Sequence, residues 1–173
     1  MPDALWLATD IAVELSAPLQ GRPEDRSPAT LRAVVEQFEF GTAQRYAPRD
    51  IDHDGKRDTT CNIAAHDVTR ALGCEIPRQR ANDMFGWLLA AQQWTQLRAW
   101  VARELANAGF PVVAAWQNSA GPGHIAILVP SRNELDKHDH IFIAQTGATC
   151  FNYGRLENGF GSKTPSVAFF AHP

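Results

Sequence analysis

The chain is expected to fold as an α+β protein. Up to Gly109 its apolar residues recur at helical spacing, after Gly109 they fall into short extended runs, and no internal repeat or linker divides the two. Helices first and strands second point to one domain over residues 1–173, with N-terminal helices packed on a small antiparallel sheet.

The elements follow in order. Leu5, Ala8, Ile11, Ala12 and Leu15 space a first helix over residues 4–17, and residues 1–40 together form a helical extension. Ser27-Pro28 supplies a capping hydroxyl and an N1 proline before LRAVVEQFEF, the start of a second helix. Gly41 to Thr59 reads as a loop dense in Asp and Gly. From Thr60 the helical period returns, with Ala64, Val68, Ala71 and Leu72 on one face and Gly73 as the stop. Residues 81–91 and 94–108 read as two more helices. Four strands are expected over residues 111–116, 124–129, 141–144 and 166–171.

Composition narrows the function. The 173 residues are 45% hydrophobic and 20% charged, with 12 Gly and 11 Pro, which excludes a disordered tail, a collagen-like rod and a coiled coil. Sixteen basic against nineteen acidic residues give a formal charge of −3 with no Lys/Arg block, so nucleic acid is not an expected partner. Three cysteines without CxxC spacing exclude a zinc ribbon and a disulfide scaffold. A Cys74–Cys150 bridge with Cys61 free is compatible with the sequence. The start MPDALWLATDIAVEL lacks the basic residues of a secretory signal, and no apolar run is long enough to cross a membrane. The expectation is synthesis in the cytoplasm, with any action elsewhere reached by a non-classical route.

Three pieces carry chemistry. Thr59-Thr60-Cys61-Asn62 places a cysteine in the first turn of a helix, where exposed N–H groups and the dipole favour thiolate. The alternative is a small buried hydrophobe. Gly121-Pro122-Gly123-His124-Ile125-Ala126-Ile127-Leu128 launches a strand whose first side chain is an imidazole. Alternation puts His124, Ala126 and Leu128 on one face and Ile125, Ile127 and Val129 on the other. Gln145, at the end of IFIAQTG, can accept from the far ring nitrogen of His124 and fix its tautomer. His66, five residues after Cys61, lies about 140° round the helix and faces away from the thiol. His53, His138 and His140 sit in polar loops.

Taken together these segments resemble the papain-like cell-wall hydrolases, specifically the NlpC-type and CHAP-related cysteine peptidases and amidases. In those enzymes nucleophile, base and orienting residue come in this chain order. Thr60-Cys61-Asn62 with Asp67 and Ala71-Leu72-Gly73, then Ile76-Pro77-Arg78 and Ala81-Asn82-Asp83-Met84, are similar to the nucleophile helix and its following loop. Ala106-Asn107-Ala108-Gly109 and Ala114-Ala115-Trp116 resemble the segment before the histidine strand, and Ile143-Ala144-Gln145-Thr146-Gly147 the third-residue strand. Two departures stand out: the usual Asp-Cys-Ser-Gly is Thr-Cys-Asn-Ile here, and the orienting residue is Gln145 rather than His, Asn or Glu.

The resemblance implies a Cys61 nucleophile, a His124 base, Gln145 as orienting residue and Tyr46 as a tyrosine that helps bind the oxyanion. It implies peptidoglycan stem peptide as substrate, in the periplasm or cell wall. A hydrolase without a signal resembles an antibacterial effector, with an immunity protein as partner, or a phage lysis enzyme. The rival class is a catalytically silent, calcium-binding module that binds cell wall or another partner.

Calcium enters through Asp50-Ile51-Asp52-His53-Asp54-Gly55-Lys56-Arg57-Asp58. DxDxDG followed by Asp at position nine is the front half of an EF-hand-type loop, with the Lys56 carbonyl at position seven. Position twelve, normally a bidentate Glu, is Cys61. The expected role is structural: the ion would order the loop leading into the Cys61 helix.

Overall fold

A computed structural model describes residues 19–50 and 53–173. The helix expected over residues 4–17 lies outside the described residues. So does Asp52.

The sheet is six-stranded and antiparallel. Its strands are β1 (Thr95–Leu97), β2 (Val112–Trp116), β3 (His124–Val129), β4 (Phe142–Thr146), β5 (Cys150–Arg155) and β6 (Ala168–Ala171), in the order β1-β6-β2-β3-β4-β5. Five α-helices among the described residues flank it: α1 (Pro28–Glu36), α2 (Cys61–Ala71), α3 (Ala81–Ala90), α4 (Ala99–Asn107) and α5 (Leu156–Phe160).

Strand alternation sorts the core into two layers. Val113, Ala115, Ile125, Ile127, Val129, Phe142 and Ala144 pack with residues of α1, α2 and α3. Val112, Ala114, Ala126, Leu128, Ile143 and Phe169 pack with Ala102 and Ala106 of α4 and Leu156 and Phe160 of α5. The faces assigned to β3 from its sequence are therefore the observed ones.

α1 starts as expected: the Ser27 hydroxyl accepts from Thr30 N at 3.0 Å and Pro28 occupies the first turn. It ends four residues early, because the chain turns at Glu39, which has a positive φ of 47°.

α2 corrects a one-sided reading. All its residues but Arg70 are buried, so it is a central helix rather than an amphipathic surface one. Its polar side chains are accordingly satisfied. Asn62 Nδ2 donates to the Gln79 carbonyl at 2.8 Å. His66 Nδ1 meets the Ile76 carbonyl at 2.9 Å. Thr69 Oγ1 donates to the Ala65 carbonyl and accepts from Ile76 N. The segment after α2 thus wraps back on it and becomes a wall of the site.

Two further corrections concern the sheet. The helix expected from Trp94 is instead β1 followed by α4. Thr95, Gln96 and Leu97 pair with Ala171, Phe170 and Phe169, and Trp94 is buried against the His172 ring. A C-terminal partner strand overrides local helical spacing here. β5 and α5 have no counterpart among the helices and strands read from the sequence. β5 pairs with β4 across a register shift between Ile143 and Gln145, which broke the alternation a sequence reading depends on.

Candidate active site

Cys61 is the first residue of α2 and is 4% exposed. The preceding Thr60 does not cap the helix with its side chain; its hydroxyl donates to the Tyr46 carbonyl at 2.7 Å. The first-turn amides, which have no acceptor within the helix, therefore face the thiol end uncapped by Thr60. Burial pushes the Cys61 thiol up. The hydrogen bond and charge of His124, the Ile125 backbone N–H and the Thr59 hydroxyl outweigh it and hold the thiol below its usual range. The sequence reading gave no role to Thr59 or to the Ile125 amide. Thr59 lies just outside the helix, and no periodicity marks a hydroxyl that turns back onto the thiol.

His124 opens β3 and comes from the sheet face that carries α5, whereas α2 packs on the other face. The pair meets at the end of the sheet. Burial lowers the imidazole; its hydrogen bond and charge interaction with Cys61, then its hydrogen bond with Gln145, more than offset this and leave it raised. Both shifts favour a thiolate–imidazolium pair. Such a pair is a nucleophile with an acid beside it.

Gln145 is 3% exposed, and its Oε1 lies 2.6 Å from His124 Nε2. Its own Nε2 donates to the Thr149 carbonyl at 2.9 Å. That second bond fixes which end of the amide is which. The oxygen therefore faces the ring and accepts from His124 Nε2–H, which leaves Nδ1 for the Cys61 sulfur. The Phe160 ring sits edge-on to the imidazole with centroids 4.9 Å apart and covers it.

Two glycines make the geometry possible by close approach. A Cβ on Gly159 would stand 2.6 Å from Gln145 Oε1, so any larger residue displaces the orienting amide. A Cβ on Gly123 would meet the Trp116 carbonyl at 2.7 Å and Asn82 Oδ1 still closer. Asn82 is the clamp of that turn. Its Nδ2 donates to the Asn118 and Gly121 carbonyls and its Oδ1 accepts from Asn118 N, all at 2.9 Å. The 118–123 loop that delivers His124 is thereby tied to α3. In the sequence Asn82 stands only within Ala81-Asn82-Asp83-Met84, and nothing local marks it as the clamp of a distant turn.

An open cleft of about 770 Å³ reaches the thiol, lined by Thr59, Cys61 and Asn62 together with residues 78–83 and 121–123.

Tyr46 is a correction. It is 1% exposed, its hydroxyl donates to Asp67 Oδ2 at 2.8 Å, and Arg45 holds the same carboxylate from Nε at 2.8 Å and Nη2 at 3.1 Å. Burial and the Asp67 charge raise the phenol far above its ordinary value. Its only proton is committed to Asp67, which lies six residues along α2 from Cys61, so the phenol is not placed to donate to an oxyanion. Its ring packs edge-on against Phe38 and Phe40, which stack on each other, as a core residue.

The three cysteines are free thiols, so Cys74 and Cys150 are not bridged. Burial pushes Cys74 up to about 12. That places it opposite to Cys61 in reactivity.

The acidic loop fits a cation in part. Gly55, the sixth position, has φ 84°, as the sharp turn needs. Asp50 Oδ1 and Oδ2 accept from Asp54 N and Gly55 N, and Asp54 Oδ1 from Lys56 N. The Asp58 backbone pairs with Arg49, and the Lys56 ammonium lies 3.5 Å from Asp54. Among the described residues no three His, Cys, Asp or Glu side chains gather as a ligand set. Among the same residues, no helix is long and apolar enough to cross a membrane. No family model and no curated protein sequence matches the chain.

Proposed function

We propose that the protein is a cysteine hydrolase of the papain-like, NlpC- or CHAP-related kind, cleaving amide bonds of peptidoglycan stem peptides. The observation that carries this reading is the Cys61–His124–Gln145 arrangement, whose thiol lines an open cleft, with the thiol lowered and the imidazole raised. The chain-order resemblance supplies the substrate.

The thiolate attacks the amide carbonyl carbon, and a C–S bond forms as the oxygen becomes an oxyanion. The Cys61 backbone N–H at the start of α2 stabilises that charge. His124 gives its Nδ1 proton to the leaving amine as the C–N bond breaks. It then takes a proton from water, whose oxygen attacks the thioester carbon as the C–S bond breaks, releasing the acid and regenerating the thiolate–imidazolium pair. Gln145 holds the ring through both steps. A calcium ion in the Asp50–Asp58 loop belongs to the proposal as a structural element only. Action in the periplasm or cell wall, as an effector with an immunity partner or as a lysis enzyme, belongs to it too.

The test is digestion of purified sacculi with mass spectrometry of the products. The native protein should release muropeptides whose masses name the bond, and Cys61→Ala should release none. Sacculi bound but left intact by the native protein would favour the silent binding module instead.

A further inference from the structure

The cleft that reaches Cys61 carries an unmet requirement. Arg57, Arg78 and Arg80 line it together with Asp58 and Asp83. Arg78 differs from its neighbours: Nε and Nη1 of its guanidinium are buried and have no hydrogen-bond partner. A guanidinium stays charged, and burying its donors unpaired is costly. The acid whose charge acts most on it is Asp67. That carboxylate already accepts two hydrogen bonds from Arg45 and one from Tyr46, so it does not complete Arg78.

We infer that Arg78 is an anion subsite of the cleft, and that the substrate carries a carboxylate close to the amide attacked by Cys61. A carboxylate oxygen accepts from a guanidinium N–H in a charge-assisted hydrogen bond, and its negative charge compensates the positive charges of Arg57, Arg78 and Arg80. This inference rests on the proposed hydrolase reading for its substrate. The subsite itself is a property of the cleft, and it is tested on the thiol without any hydrolysis.

Two alkylating agents of nearly equal size differ only in charge: iodoacetate and iodoacetamide. Their rates at Cys61 are to be measured at fixed pH and ionic strength in the native protein, Arg78→Gln and Arg78→Lys, with folding checked by circular dichroism. In Arg78→Gln the iodoacetate to iodoacetamide ratio should fall about tenfold, the low end of a charge-assisted hydrogen bond, while the iodoacetamide rate stays within about twofold. Arg78→Lys should keep most of the ratio. An unchanged ratio in Arg78→Gln, or both rates falling together, overturns the subsite.

Should Arg78→Gln fail to fold, protection of native Cys61 from iodoacetamide decides. Glutarate, with two carboxylates for two cations, should protect at concentrations where acetate does not, and glutaramide should not protect. Equal protection by acetate and glutarate would leave His124 as the sole cation and overturn the inference. Failure of Cys61→Ala to abolish sacculus digestion would instead strike the hydrolase reading and leave the ratio untouched.

Discussion

Removing the Gln145 amide should shift the pH range over which Cys61 reacts, not merely weaken it. The lowered thiol brings thiolate to lower pH and the raised imidazole keeps imidazolium to higher pH, so the two shifts together favour the reactive pair, with an acid edge set by the thiol and an alkaline edge set by the imidazole. Gln145 Oε1 supports the upper edge, since it accepts from His124 Nε2 at 2.6 Å in a site that is 3% exposed. A hydrogen bond to a charged group contributes about 1.5 kcal/mol at the low end, and about 1.4 kcal/mol corresponds to one pH unit. Gln145→Ala should therefore lower the alkaline edge by about one unit and leave the acid edge nearly in place. Gln145→Glu puts a carboxylate beside the ring and should raise the same edge. The assay is the rate of iodoacetate reaction with Cys61 across pH, because this anionic reagent is drawn by the imidazolium as well as attacked by the thiolate and so loses rate when His124 is deprotonated, with the alkylated residue identified by peptide mapping. If both variants lower the rate at every pH and neither moves the alkaline edge, Gln145 does not orient His124 through this bond and the reasoning fails.

Two other outcomes bear on the remaining residues. Tyr46→Phe removes the proton held by Asp67 in a buried site and should destabilise the fold by about 1.5–3 kcal/mol, read from the urea midpoint, with Cys61 alkylation unchanged; a large loss of hydrolysis at undiminished stability would return the phenol to the oxyanion. Calcium added to EGTA-stripped protein should raise Tm by mass action on the folded state, and a melting curve indifferent to millimolar calcium would remove the ion from the reading.

Much of the site is legible in the sequence because its signals are local. A cysteine at a helix start needs only Thr60-Cys61-Asn62 and the period that follows, and Gly121-Pro122-Gly123 ahead of His124 marks where a strand begins. The α+β class and strands β2, β3, β4 and β6 rest on the same short-range patterns of turn residues and apolar runs. What sequence periodicity could not supply is pairing at a distance. β1 exists because β6 returns beside it, against local helical spacing, and β5 is hidden by its register shift against β4.

The same physics separates what each residue of the site does. The sequence determined which residue types stand at the helix start and strand start. Only the tertiary structure decided that Thr59 and the Ile125 amide reach the thiol, that Gly159 leaves room for Gln145, and that Asn82 ties down the loop before His124. It also turned Tyr46 from the oxyanion to Asp67, because a buried carboxylate takes the nearest buried donors, and which donors are nearest is set by packing rather than by position along the chain.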